Sequence, residues 1–370
     1  MDDHGNIEYA GNPENPNGAD NEKMVVSGGF LPERAQPFAE VVDTDDLAPL
    51  TKRARTYARN SKTNNTKLAY AADWKDYTRW CADHGLLFLP ASPQTVGLYI
   101  TALASEARPG RTGPAKVETI ERRLSGIAWN YRQRGDVLDR QDPHVKTVLD
   151  GIRLQHGERQ NHKMALLAPD IIRMVNILDK SLMSLRDRAI LLVGFAGGLR
   201  RSEIVGLDYG PKETEDGLGW PEFFANGLLL HIKGKTGWRE VEIGLGSSAD
   251  TCPIQALEEW LRVAKIEHGP IFRKLTPKKD RVISRRLAGQ HVARLIQQTA
   301  LASGVGADFP EGVRRHAFSG HSLRAGLATG ADVDERYVQR QLGHATVGMT
   351  RRYQRDRDRF KVNLTKAAGL

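Results

Sequence analysis

Between Thr51 and Gln160 apolar side chains recur at helical intervals. Tyr70, Trp74, Tyr77 and Cys81 are spaced by four, three and four residues, one stripe of an amphipathic helix that Asp83-His84-Gly85 ends, with Gly85 as the C-cap. Pro93 to Ser105 forms a second helix through Val96, Tyr99, Ile100 and Leu103. Lys116 to Arg134 forms a third, with Ile120, Leu124, Ile127 and Tyr131 inward and Arg122, Arg123, Arg132 and Arg134 mostly outward. Asp142-Pro143 opens a fourth, carrying Val145, Val148, Leu149 and Ile152. The aromatic stripe reads as core rather than as a base-stacking platform. Residues 154–164 are polar and unpatterned and read as an interdomain linker.

The second half changes period. Arg186 to Ala196 is a strongly apolar helix that runs into Gly197-Gly198-Leu199-Arg200. A further helix holds Ser202, Glu203, Ile204 and Leu207. Leu228, Leu230 and Ile232 then alternate along a strand, Gly237 turns the chain, and Val241 and Ile243 return, a predicted strand pair. Helices are predicted at about Pro253–Ala264, Arg286–Ser303, His321–Thr329, Asp334–Leu342 and Thr346–Tyr353. Phe360, Val362, Leu364 and Ala367 make a last amphipathic stripe. No internal repeat is visible. The fold expected is mainly α: a helical N-terminal domain, then a mixed, mostly helical domain with a small antiparallel β-hairpin.

Length and charge refine this division. A chain of 370 residues with 40% hydrophobic content can bury one or two ordinary cores, and two domains are expected. Residues 1–48 hold eleven acidic side chains against Lys23 and Arg34, a net of −9, so with +9 overall the remainder carries +18. That excess favours a polyanionic partner, because each Lys or Arg that meets a phosphate releases counterions. The acidic segment, rich in Asn, Gly and Pro, reads as a disordered tail. The expected division is a tail over 1–48, a helical domain over 49–156, a linker over 157–164, and a second domain over 165–370 with a C-terminal interaction helix. Cys81 and Cys252 are too few for a disulfide framework or a Cys-rich zinc site. No apolar run reaches membrane-span length and no signal pattern opens the chain, which reads as intracellular.

The chemistry is concentrated in the last half. Arg200 and Glu203 are three apart, as are His321 and Arg324, so each pair shares one helix face. Leu342-Gly343-His344 follows, and Tyr353 lies nine residues after His344. Guanidinium groups match phosphate oxygens and stay charged at any working pH. Tyrosine is a covalent nucleophile. Together these types suit attack on a phosphodiester, in which charge builds on nonbridging oxygens while one proton leaves and another arrives. Singly, each has an ordinary explanation, and Tyr131, Tyr209 and Tyr337 are expected to be at least partly core. Gly234-Lys235-Thr236 hints at a P-loop, but that pattern needs a glycine at position 229, which is Leu.

The set Gly-Leu-Arg-x-Ser-Glu, His-x-x-Arg, Leu-Gly-His and a Tyr nine residues later resembles the tyrosine recombinases, or phage-type integrases. Ser319 to Arg324 and the four-helix N-terminal region are similar to the Cre-like branch. The resemblance spans roughly residues 60–370. It implies that Arg200 and Arg324 clamp the scissile phosphate and that Glu203 supports them. His321 then assists proton transfer from the nucleophile, His344 hydrogen-bonds the phosphate, and Tyr353 forms a 3′-phosphotyrosine link. The family's general-acid lysine sits on a hairpin, where Lys233 and Lys235 alternate to the same face. The Lys-Thr-Gly signature and the turn favour Lys235. Arg324 and His344 are twenty residues apart, about three fewer than the family pattern, just under one helical turn. A trimmed helix or a tightened loop at Gly330-Ala331-Asp332 is expected to absorb the difference.

The resemblance also implies a site-specific recombinase that needs no cofactor, metal or ATP, in a cytoplasmic setting of prokaryotic, phage or plasmid kind. Its partner is double-stranded DNA with specific recombination sites, clamped between the two domains. The Lys116–Arg134 helix and the Arg281–Gln298 region are the candidate readers. Arg122, Arg123, Arg201, Arg285, Arg286, Gln290 and Arg294 are candidate DNA contacts, mostly to phosphate. The C-terminal stripe is expected to pack on a neighbouring subunit of a cyclic homotetramer. Two other readings remain: a tyrosine-based DNA-relaxing or telomere-resolving enzyme, and a site-specific DNA-binding protein that does not cut.

Overall fold

A computed structural model describes residues 47–106, 113–157, 163–234, 237–344, 346–349, 351 and 364–368. The chain divides between Gln160 and Asn161 into two compact units.

Among its described residues the first unit holds five helices, α1 (Ala48–Asn60), α2 (Asn64–Asp83), α3 (Pro93–Ser105), α4 (Val117–Arg132) and α5 (Pro143–His156). Local chemistry sets their starts. Thr63, Ser92 and Asp142 accept backbone N–H bonds from the first turns of α2, α3 and α5, and prolines stand at the first turns of α3 and α5. The predicted stripes meet in one core, with Tyr77, Tyr99, Ile120, Leu124, Ile127 and Tyr131 fully buried. The buried phenols are hydrogen-bonded: Tyr77 and Tyr131 share a 2.9 Å bond, and Tyr131 donates to the Phe88 carbonyl at 2.7 Å. Burial pushes both hydroxyls above the usual phenol range, so they remain protonated spacers.

The arginine face of α4 is not as the pattern predicts. Arg123 is buried, donating to Tyr99 at 2.7 Å and to the Asp76 carboxylate. It therefore stitches α4 to α2 and α3 and is withdrawn from DNA. Its neighbour Arg122 keeps an exposed edge but binds Asp73. The period-3.6 count missed this because two carboxylates on α2, buried Asp73 and half-buried Asp76, supply counter-charges inside the unit.

The second unit is built around α7 (Leu182–Ala196), packed by α6 (Ala168–Asn176) and α8 (Arg201–Val205). Then come β1 (Gly219–Phe224), β2 (Gly227–Gly234) and β3 (Gly237–Gly244), an antiparallel sheet in that order. Here Leu228, Leu230, Ile232, Val241 and Ile243 face the core as their alternation predicts. The predicted strand pair thus gains a third strand, β1, which Pro221 obscures in the sequence and which its edge position tolerates. The chain continues through α9 (Pro253–Ala264) and a second hairpin of β4 (Arg273–Leu275) and β5 (Val282–Arg286). Last come α10 (Gly289–Ala302), α11 (Glu311–Ala317), α12 (Gly320–Gly330), α13 (Glu335–Leu342) and a helical turn at Leu364–Ala367.

Residues 281–286, read as part of a helical reader, belong instead to this second hairpin. Arg286 turns back from β5 to bind Asp208 at 2.7 Å, Asp216 at 3.0 Å and the Val205 carbonyl at 2.7 Å, so it is structural rather than a DNA contact. Tyr131 is core, but Tyr337 and Tyr209 are exposed, since their helix and loop present them outward. Lys235, Tyr353 and the Phe360-Val362 part of the terminal stripe lie outside the described residues, as does the acidic segment 1–46.

The helix that bears His321 and Arg324 is held by a passing extended segment. Met164 donates to the Ala317 carbonyl at 2.9 Å and Leu166 to the Ser322 carbonyl at 3.1 Å. A Cβ at Gly326 would lie 1.7 Å from the Leu166 carbonyl oxygen, so only glycine lets the two backbones approach. Gly326→Ala is expected to cost about 1–3 kcal/mol, read as a lower midpoint in thermal unfolding. An unchanged midpoint would mean that the 163–167 segment retreats freely.

Candidate active site

Three backbone features bring the motif residues together. The first is the end of α7. Gly198 adopts a left-handed conformation with φ of 55°, and a Cβ there would meet Leu342 at 2.4 Å and Leu327 at 3.0 Å. Gly198 therefore brings the chain hard against α12 and α13 just before Arg200. Arg200 caps α8: its own N–H donates to Glu203 Oε2 at 2.8 Å and its guanidinium to Oε1 at 2.7 Å.

The second feature is the start of α12. Ser319 accepts from His321 N–H at 3.2 Å, and its own N–H donates to Ser322 Oγ at 2.9 Å, a reciprocal cap. His321 is exposed on this first turn. One turn later Arg324 is 1% exposed and donates to the Gly198 carbonyl at 2.8 Å and to the Leu342 carbonyl. A single guanidinium thus ties α12 to the end of α7 and to the end of α13.

The third feature is the turn after α13. Gly343 is left-handed, with φ of 59°, as a helix C-cap requires. Gln339 and His344 exchange backbone and side-chain hydrogen bonds across this turn, each at 3.2 Å. The link between α12 and α13 is only residues 331–334. It leaves His344 within electrostatic reach of Arg324 despite the short connection.

The structure therefore gathers Arg200, Glu203, His321, Arg324 and His344. It adds a residue the sequence reading missed, Arg239 on β3. Arg239 Nη1 donates to Glu203 Oε1 at 3.0 Å and Nη2 to Oε2 at 2.9 Å, a bidentate fork. The available signal was a charged side chain at the inward register otherwise filled by Val241 and Ile243. Burial works to raise the Glu203 carboxyl, but Arg239 and then Arg200 outweigh it and hold the group down at about 2. Lys233 is exposed and lines the cavity floored by Asp208, Trp220 and Trp238 on the outer side of the sheet, whereas Gly234 sits over Glu203 and Arg239.

Of the candidate DNA contacts, Arg201 is exposed, and its side chain fills the space in front of Gly320 and passes close to Gly289. Arg285, Gln290 and Arg294 are exposed, the last two sharing one face of α10. The first turn of α10 thus lies beside α8 and the start of α12.

Burial, then Arg324, Arg200, His321 and Arg239, push the His344 imidazole down to about 4. In the free protein His344 is therefore neutral at neutral pH, with one ring N–H to donate. Histidine NMR of the free protein should find its resonance flat from pH 5.5 to 8, with a midpoint near 4. A midpoint above 6 would contradict this electropositive, buried setting. For Glu203 the folded value is depressed, so its contribution to stability is present above the ordinary carboxyl range and is lost as pH falls toward about 2. Glu203→Gln should flatten the acid limb of the unfolding free energy, and an unchanged slope below pH 4.5 would count against the ion pairing.

Comparison with known proteins gives the family. Residues 165–359 match the model of the phage integrase family, a stretch that contains every motif from Gly197 to Tyr353. The chain is 33% identical over 327 residues to an integrase/recombinase XerD homolog of Selenomonas ruminantium, covering 85% of this chain and 88% of that one. It is 28% identical over 321 residues to a tyrosine recombinase XerC of Mycobacterium sp. (strain KMS), covering 79% and 88%. Among solved structures it is similar to a lambda integrase dimer bound to a COC′ core site, with a TM-score of 0.51 at 15% identity over 84% of this chain and 95% of that one. The family match over more than half of the chain and the 33% identity over 327 residues show that the chain belongs to the phage integrase family.

Proposed function

We propose that the chain is a site-specific DNA recombinase that cuts and rejoins DNA strands through a 3′-phosphotyrosine intermediate. The observation that carries this reading is the convergence of Arg200, buried Arg324, His321 and neutral His344 on one electropositive site framed by Glu203. In this role Arg200 and Arg324 receive the nonbridging oxygens of the scissile phosphate, where charge develops in the transition state. His344 donates a hydrogen bond to the same group. Tyr353 Oη attacks phosphorus as its proton passes toward His321. The phosphorus–oxygen bond to the 5′ carbon side breaks, and the leaving oxygen takes a proton from the hairpin lysine, Lys235. The freed 5′-hydroxyl of a partner strand then attacks the phosphotyrosine, releases Tyr353 and restores a DNA backbone. Each step exchanges one phosphate ester for another, so the bond energy is retained.

Arg201, Arg285, Gln290 and Arg294 are the proposed DNA contacts of the catalytic domain, and Arg122 contributes from the exposed edge of α4. Arg123 and Arg286 drop out. In domain terms, 49–156 is the DNA-binding unit and 165–370 the catalytic one, with 157–164 between them. Two duplexes exchange four strands, and one tyrosine per strand calls for four copies. We read the C-terminal stripe as the segment that links each copy to its neighbour. Within the family, the Cre-like placement rests on Ser319–Arg324 and the four-helix region, while the relatives compared above carry Xer names. Those relatives are bacterial, which agrees with a prokaryotic, phage or plasmid setting.

A suicide duplex nicked close to the cleavage point tests the chemistry. The wild-type chain should accumulate a covalent protein–DNA adduct, and Tyr353→Phe should bind the duplex but form none. An adduct persisting in Tyr353→Phe would remove it as nucleophile, and binding without any wild-type adduct would leave a non-cutting DNA-binding protein. Exchange between two labelled duplexes then separates recombination from relaxation. Arg324→Ala should lower the adduct rate by at least about 10²-fold, as loss of a preorganised charge donor does.

A further inference from the structure

We infer that Arg239 is a positioning residue that locks the base of the β2–β3 hairpin onto the phosphate-clamping frame, so that proton delivery to the leaving oxygen from this hairpin depends on it. The inference rests on the proposed recombinase chemistry and on a general-acid lysine in that hairpin.

The Arg239 guanidinium joins three elements. Its fork grips both oxygens of Glu203 on α8, the carboxylate that also holds Arg200 through its side chain and backbone. Its Nε donates to the Gln341 carbonyl at 3.4 Å, two residues before Gly343. Its own backbone lies in β3, two residues after Gly237, where the hairpin closes on Gly234. Two glycines make room for it. A Cβ at Gly234 would lie 2.9 Å from Arg239 Nη1 and 3.5 Å from Glu203 Oε1. A Cβ at Gly343 would lie 2.8 Å from Arg239 Cδ. Gly234 is flanked by Lys233 and Lys235, and Gly343 precedes His344. The two backbone segments that carry candidate catalytic side chains therefore close on one guanidinium.

Stability alone does not explain the choice. A buried ion pair seldom outperforms well-packed apolar side chains, and the inward positions next along β3 are Val241 and Ile243. A planar fork instead fixes angle as well as distance, which a lysine at the same place does not. Proton delivery to a leaving oxygen is sensitive to such placement, since a shift of about 1 Å can cost about 10²-fold.

The test uses two nicked suicide duplexes, one with the ordinary 5′ oxygen at the scissile bond and one with a bridging 5′ sulfur. A thiol with a pKa of about 8.5 departs as thiolate without a proton donor. On the oxygen duplex, Arg239→Lys should slow adduct formation by about 10²-fold, with DNA affinity and thermal midpoint close to wild type. On the sulfur duplex its rate should return to within about tenfold of wild type, because the general acid is no longer needed. Gly234→Ala, which crowds the same guanidinium from the hairpin side, should give the same pattern and serves if Arg239→Lys folds poorly. An equal loss on both duplexes would overturn the inference and assign Arg239 to the Arg200 clamp. No loss on oxygen would overturn it outright. A wild-type chain that forms no adduct on either duplex would count instead against the recombinase reading.

Discussion

One buried carboxylate makes the rest of this site possible. Phosphoryl transfer calls for several cations aimed at one small volume, and cations left to themselves separate. Glu203, 2% exposed, accepts from the side chain and backbone of Arg200 and from both ends of the Arg239 fork. Its protonation is resisted down to about pH 2, so the negative charge persists wherever the protein is folded at ordinary pH. The carboxylate does not cancel the site. Burial, and then the positive field of Arg324, Arg200 and Arg239, holds His344 down at about 4 in the free protein. The frame therefore keeps a surplus that only an incoming anion relieves, which is what electrostatic preorganisation means for a phosphate.

Arg324 shows a second way of holding charge. It sits at 1% exposure and donates to the carbonyls of Gly198 and Leu342. The Leu342 carbonyl is a last acceptor of α13, which has no partner along the axis, and the Gly198 carbonyl lies in the turn just past the end of α7. The helix termini thus serve as ligands for the guanidinium, and the guanidinium serves as their cap. The same bonds bring the Gly197–Arg200 turn and the Gly343–His344 turn against α12. Packing of Gly198 on Leu327 and Leu342 sets the distance. The motif order along the chain is thereby converted into one cluster in space.

Much of this was legible in the sequence, for a physical reason. Helices with strong apolar stripes, such as Pro93–Ser105 and Pro253–Ala264, match their predicted bounds because burial and caps agree. The short polar strand Val282–Arg286 was not legible, since it has too few apolar positions to show a period of two. Edge strand β1 was hidden by Pro221. Arg123 and Arg286 were misread because charge was counted without its partners: Asp73, Asp76, Asp208 and Asp216 lie far away in sequence and become neighbours only in the fold. Arg239 escaped for the same reason, although its inward register on β3 was already an anomaly. Local periodicity reports what a side chain faces, and it cannot report which distant charge it faces.

The site also divides its labour by rigidity. Arg324, Glu203 and His344 are buried, Arg239 is half-buried, and their partners come from helix ends and from one another's charged side chains. His321 stands on an exposed first turn, and Lys233 is exposed near the end of β2. Among the described residues, Glu203 and Arg324 are thus built into the core, while His321, the proposed proton-transfer group, lies at an element edge. A proton-transfer group needs to meet a substrate atom that moves during the reaction, so it gains from an edge position. A charge clamp gains from immobility, because reorganising it would cost free energy in the transition state. Arg239 is where the two requirements meet, one guanidinium bonded to the clamp and standing at the root of the hairpin.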